Sequence, residues 1–181
     1  METARNKILD AAETRLLATG PSGLVLEQVA AEAGVSKGGL LYHFPSKEAL
    51  VAGLCERMLD GFEKTLASLS EDDGGPGAWT RAYLASTVTP QGDAADKSAQ
   101  LMAGILATLG RDSAHLETVR ESFARWHRRI ERDGIDKRAA TIVRLAADGL
   151  WLSSLLGLPE LSPRSGREVI AALRNMTREG Q

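Results

Sequence analysis

Residues 26–50 read LEQVAAEAGVSKGGLLYHFPSKEAL, and the organisation of the chain follows from them. Leu26, Val29, Ala30 and Ala33 stand at i, i+3, i+4 and i+7, the spacing of one apolar helix face. Gly34 suits the left-handed backbone that ends such a helix, and the Ser36 hydroxyl is placed to cap the next. A second helix beginning at Lys37 is confined to residues 37–44, because Pro45 disfavours helical geometry at the residue before it. Ser46 then caps a third helix from Lys47. Two short helices joined by a tight glycine turn make a helix-turn-helix.

The second of these helices is poorly built if stability is its only task. Gly38 and Gly39 occupy its first turn, and an interior glycine costs roughly 0.5–1 kcal/mol relative to alanine. A helix N-terminus with free amides and almost no side-chain bulk can approach a phosphate or a base edge closely. Lys37, Tyr42 and His43 beside it are suitable groups for a DNA backbone, while Leu40, Leu41 and Phe44 supply its buried side. Taken singly, Lys37 and Lys47 read as solvated charges, and His43 has the alternative of packing against Pro45.

This order of residues closely resembles the DNA-binding segment of the TetR (tetracycline repressor) family of bacterial transcription regulators. The resemblance covers about residues 4–54 and rests on Ala-Gly-Val-Ser-Lys-Gly from Ala33, an aromatic pair, Phe-Pro-Ser-Lys-Glu from Phe44, and Leu50. It implies that Ser36, Lys37, Gly38, Gly39, Tyr42, His43 and Lys47 face DNA. It also implies a homodimer formed through the last two long helices and a small-molecule effector bound between the middle ones. Two positions depart from the family pattern. Val25 stands where a threonine usually caps the first motif helix and touches a phosphate, and Leu41 stands where many members carry another tyrosine.

Composition sets the frame. The 181 residues suffice for one large or two small domains. Lone Cys55 excludes an internal disulfide and reads as a small core residue, and no N-terminal segment resembles a signal peptide, so a cytoplasmic location is expected. The net charge of −2 argues against indiscriminate nucleic-acid binding. Within residues 1–50 five cations face six anions, yet no acid occurs from Ala33 to Lys47, so the motif offers a locally positive surface.

The rest of the chain reads as helix. Residues 4–19 carry Ile8, Leu9, Ala12 and Leu16 on one stripe, and residues 47–69 repeat Val51, Leu54, Met58, Phe62 and Leu66. Residues 70–77, SEDDGGPG, read as a loop. A helix over 78–88 ends at Pro90-Gln91-Gly92, one over 93–109 ends at Gly110, and Asp112 or Ser113 caps another reaching about Asp133. That last helix sets Leu116, Val119, Phe123, Trp126 and Ile130 against Arg125, Arg128, Arg129 and Arg132. Residues 137–158 are apolar on nearly every side, which demands burial, but are too interrupted for a membrane span. Ser162-Pro163 opens the final helix.

The expected fold is all-α with about nine helices: a helix-turn-helix DNA-binding domain over residues 1–50 and a larger ligand-binding and dimerisation domain over 51–181. The candidate effector residues are Trp79, Tyr83, Met102, Leu106, Phe123 and Trp126, an ordinary core being the alternative. Asp148 either orients that ligand or pairs with Arg144. The dimer candidates are Trp151, Leu155, Ile170 and Leu173. The expected partners are an operator duplex, a second copy and an apolar effector, with no membrane. No cofactor or metal is expected, since His43, His115 and His127 have no ligand spacing and no nucleophile or phosphate loop is evident. An enzyme is therefore disfavoured, and the competing reading is a helical protein-interaction domain.

Overall fold

A computed structural model of the chain describes residues 3–87, 93–109, 115–159 and 161–178. Among them are nine α-helices, one 3-10 turn and no strand: α1 (Ala4–Thr19), the 3-10 turn (Pro21–Gly23), α2 (Leu26–Glu32), α3 (Lys37–His43), α4 (Lys47–Asp73), α5 (Ala78–Thr87), α6 (Asp93–Leu109), α7 (His115–Ile130), α8 (Lys137–Leu155) and α9 (Pro163–Met176). The expected stops at residues 90–92 and 110 and the cap at 112 or 113 lie outside the described residues. No described helix is long and apolar enough to cross a membrane.

The chain packs as two compact units, one formed by Met1–Leu59 with Lys97–Val119 and the other by Asp60–Asp96 with Arg120–Gln181. In the first, Thr3 caps α1 through a hydroxyl that accepts from the Asn6 amide at 3.3 Å. The helix buries Ile8, Leu9, Ala12 and Leu16. It meets α6 at Gly104, where an added Cβ would stand 3.0 Å from Leu16. Arg57 on α4 clasps α1 by pairing with both Asp10 and Glu13. Cys55 is buried, and loss of hydration pushes its thiol up to about 11, as expected of a core cysteine.

In the second unit α5 starts under an acidic cap from the turn after α7. The Asp133 carboxylate accepts from the Thr80 amide and hydroxyl, each at 2.7 Å, and the Gly77 amide donates to the Asp133 carbonyl at 2.7 Å. α8 and α9 are capped by Asp136 and Ser162, with Pro163 at the first helical position of α9. The residues read as a loop from Ser70 are helical as far as Asp73, and the break shrinks to 74–77. Acids at a helix C-terminus oppose its dipole. Here Arg81, nearly buried, meets Asp73 with Nε at 2.5 Å and Nη2 at 3.0 Å, and it also donates to the Pro76 carbonyl and the Thr177 hydroxyl. That guanidinium holds the Asp73 carboxyl below its ordinary value.

α8 is not buried all round. Val143 and Ala147 face inward, whereas Ile142, Leu145, Leu152 and Leu156 are open along one side.

Arg81→Leu is expected to lower the unfolding free energy by about 3 kcal/mol in urea titration, because it strands the Asp73 carboxylate and the Gly74 and Pro76 carbonyls. Arg164→Leu, which breaks only the exposed pair with Glu168, should change it by less than about 1 kcal/mol. Equal costs for the two would contradict a structural role for the Arg81 network.

Candidate functional site

The turn between α2 and α3 follows the expected chemistry. Gly34 has φ 66°, a left-handed value, and ends α2. Ser36 is extended, and its hydroxyl accepts from the Gly39 amide at 3.0 Å. α3 then buries Leu40 and hands the chain to Phe44, which is also buried. The other end of the motif is closed by Ser46, whose hydroxyl accepts from the Ala49 amide at 3.1 Å. α2, by contrast, starts at Val25 with no side-chain cap.

The open side of α3 carries most of the expected DNA-facing set. Tyr42 is 85% exposed and meets the His43 ring edge-on at 5.2 Å. A Cβ added at Gly38 would meet nothing nearer than the Ser36 hydroxyl at 4.0 Å, so no neighbour within the chain requires glycine there. Gly39 is tighter, with that hydroxyl 3.2 Å from a would-be Cβ.

Two cations have partners that the sequence pattern did not reveal. Lys37 pairs with Glu27 across the turn, and this contact holds the Glu27 carboxyl below its usual value. The pair is exposed, so a phosphate can compete for the ammonium. Lys47 is half-buried and donates to the Pro21 carbonyl at 2.6 Å. One of its three N–H donors therefore ties the 3-10 turn to α4. Arg15 likewise clasps Gln28, Glu32 and the Gly23 carbonyl, fixing α1 against the motif.

In the second unit, Tyr83, Phe123 and Trp126 come together with three groups not on the sequence-derived effector set, Phe62, His127 and Trp151. Phe62 lies 4.8 Å from Trp126 and 6.0 Å from Tyr83, and Phe123 lies 5.1 Å from Trp126 and 6.0 Å from Trp151. Phe62 was legible only as a core position of α4. Trp151, read as a dimer residue, is half-buried and presents its ring to Phe123. Trp79 is buried with Arg129 over its ring, whereas Met102 and Leu106 belong to the first unit.

A polar centre lies beside the rings. Asp148 accepts from the Tyr83 hydroxyl at 2.5 Å and from Arg144 at 3.1 Å, so the pairing with Arg144 forms. Burial and that hydrogen bond hold the Tyr83 phenol far above its usual value. His127 Nε2 is 3.6 Å from the same carboxylate, and burial depresses its pKa, with Arg144 adding to the effect and Asp148 opposing it. Among the described residues no group of three His, Cys, Asp or Glu side chains is placed to hold a metal.

Of the dimer candidates, Leu173 is buried within its own unit and Trp151, Leu155 and Ile170 are half-buried. The open apolar positions are the α8 stripe Ile142, Leu145, Leu152 and Leu156, with Val169 on α9. Gly149 lies in the same stripe and would meet nothing within 4 Å if it carried a Cβ. The 3–4 spacing 142, 145, 149, 152, 156 is that of a helix-pairing seam.

Comparison with known proteins agrees at both ends of the chain. Residues 77–178 match the family model of the tetracyclin repressor-like C-terminal domain, and residues 8–54 match that of bacterial regulatory proteins of the tetR family. Over 68 residues the chain is 44% identical to the HTH-type transcriptional regulator RutR of Escherichia coli strain K12, a stretch covering 38% of this chain and 32% of that regulator. The match thus spans about a third of the length of that relative. The fold is similar to that of a transcriptional regulator from Rhodococcus sp. Rha1, with TM-score 0.75 and 22% identity over 97% of this chain and 96% of the other. It is also similar to the multidrug binding protein EbrR complexed with ethidium, with TM-score 0.64 and 26% identity over 94% and 97% of the two chains.

The depressed His127 pKa fixes a sign. As pH falls below about 6.5 the unfolded chain takes up a proton that the folded chain resists, so stability is lost towards acid. Thermal melts of the native protein should fall between pH 7 and pH 5.5 more steeply than those of His127→Gln. Parallel profiles would remove His127 as a source of the slope.

Proposed function

Since this chain belongs to the tetR family of bacterial regulatory proteins, we propose that it is a ligand-responsive repressor that binds a (pseudo)palindromic operator as a homodimer. The observation that carries this reading is the start of α3. A capped helix presents Gly38 to open space where an alanine would fit and would favour the helix, so the missing side chain serves something outside the chain. A duplex at that surface would meet the first-turn amides, Ser36, Lys37, Gly38, Gly39, Tyr42 and His43. Lys47 acts there with the donors its bond to Pro21 leaves over.

One helix-turn-helix reads few base pairs, and two copies on half-sites about 34 Å apart supply specificity. The α8 stripe is the proposed seam between the copies, with α9 beside it. Burying side chains such as Leu145 and Leu156, 56% and 61% exposed in the single chain, would supply the apolar drive. Because Leu173 is already buried, Leu145, Leu152 and Leu156 take the role that the sequence pattern gave to it.

The aromatic cluster of the second unit is the proposed effector site, with the Tyr83–Asp148 bond as its polar anchor. The complex of EbrR with ethidium, a planar aromatic molecule, supports an aromatic ligand. Entry parts ring contacts worth about 0.5–1.5 kcal/mol each, so the ligand must replace them with its own. Phe62 and Glu63, whose carboxylate accepts from the Trp126 indole, both stand on α4. The same helix carries Gly53 against the end of the recognition helix, so movement of α4 is the proposed link from effector to operator. Such a regulator works in the cytoplasm.

The direct test is electrophoretic mobility shift on duplexes from upstream of the chain's own gene with nonspecific competitor. A retarded band that survives competitor is expected, and failure on all genomic DNA at low salt would refute the reading.

Gly38→Ala should raise stability by about 0.5–1 kcal/mol while weakening operator binding at least tenfold. Undiminished binding would show that the backbone does not approach DNA at that position. Leu145→Glu with Leu152→Glu should give a folded monomer by sedimentation and abolish the shifted band. A dimer that persists in that variant would place the seam elsewhere.

A further inference from the structure

α7 carries its charge on the side away from its aromatic residues. Arg125, Arg128 and Arg129 of α7 and Arg132 in the turn after it stand at i, i+3, i+4 and i+7, and all four are exposed. Together with Asp133 they line a surface depression of about 350 Å³. Guanidinium groups gathered around one depression repel one another. Arg128 and Arg132 pair with no carboxylate among the described residues. Arg125 donates to the Ser122 hydroxyl at 3.0 Å, and Arg129 lies over the Trp79 ring at 3.6 Å, so two of the forks are steadied by neutral groups.

The helix dipole does not account for this pattern. It contributes about half a negative charge at the C-terminus of α7 and acts within the last turn, whereas Arg125 lies further back. Asp133 supplies one carboxylate, and its oxygens already accept from the start of α5. Glu121 on α7 and Glu131 in the turn after it do not line the depression. Most of the positive charge is therefore uncompensated, and it is carried by the residue type that binds phosphate by two parallel N–H bonds.

We propose that this arginine depression binds a small anion bearing two or more linked phosphoryl groups. The volume matches a small molecule, and the charge is gathered on the end of α7 and the turn that follows it. A duplex backbone or an acidic protein surface would call for a longer positive track. Arg128 and Arg132, one turn apart and unpaired, take adjacent phosphoryl groups, while Arg125 and Arg129 close the sides. None of the residues that line it belongs to the proposed operator surface or to the ring cluster.

The test is titration calorimetry of the full chain with inorganic tripolyphosphate at low salt, with tryptophan emission as a second readout because Trp79 lies beneath Arg129. Saturable binding is expected, weakened at least about tenfold by Arg128→Gln with Arg132→Gln and less by the corresponding lysine pair, which keeps the charge but loses the fork. Arg167→Gln, an exposed arginine of α9, should leave the affinity unchanged. The four positions are exposed, so circular dichroism of the variants should match the parent. Absence of binding at low salt, an equal loss in Arg167→Gln, or capture of poly-glutamate in preference to tripolyphosphate would each overturn the proposal.

Discussion

The geometry of the motif depends on the seat of one aromatic ring. Phe44 ends α3 in extended conformation, and its ring fits where Gly53 of α4 has no side chain; a Cβ there would stand 2.7 Å from the ring edge and 3.3 Å from Leu9. Arg5 of α1 lies over the same ring at 5.4 Å. Three helices thus meet on Phe44, and Pro45 turns the chain away immediately after it. A helix of two turns does not persist alone in water. α3 persists because Ser36 caps its start and Phe44 anchors its end, which leaves its first turn free of any packing duty.

That division of labour accounts for Gly38, while Gly39 also leaves room for the capping Ser36 hydroxyl. Stability is supplied at the ends and on the Leu40 face, so the exposed first turn can be chosen for what it meets outside the chain. The second unit follows a related logic with opposite content. Its aromatic rings are gathered from α4, α5, α7 and α8 around a part-buried Tyr83–Asp148–Arg144 chain, where polar groups satisfy one another beside an apolar cluster. α4 takes part in both units, holding Phe44 near its start and Phe62 further along.

Much of the fold was legible because local rules and tertiary packing agree. Gly34, Ser36, Pro45 and Ser46 punctuate the motif, and Asp93–Leu109 and Pro163 fall where periodicity and capping place them. What was not legible depends on partners distant in sequence. α4 continues to Asp73 because Arg81, eight residues on, neutralises its acidic end. Lys47 looks like a free cation until the Pro21 carbonyl is placed beside it, and Lys37 until Glu27 is. Apolar periodicity shows that a residue such as Phe62, Leu173 or Trp151 faces something, but not whether it faces its own unit, a ligand or a second copy. The α8 stripe illustrates the ambiguity, since a helix apolar on most sides reads as buried although one side lies open.

The most direct measurement is amide hydrogen exchange of the protein with and without the duplex from upstream of its gene. If α3 enters the groove by its bare first turn, the amides of residues 37–42 should slow markedly on the specific duplex and remain unchanged on a scrambled one of equal length. Unchanged exchange across α3 while the specific complex forms would contradict the account and place the DNA contact on another element.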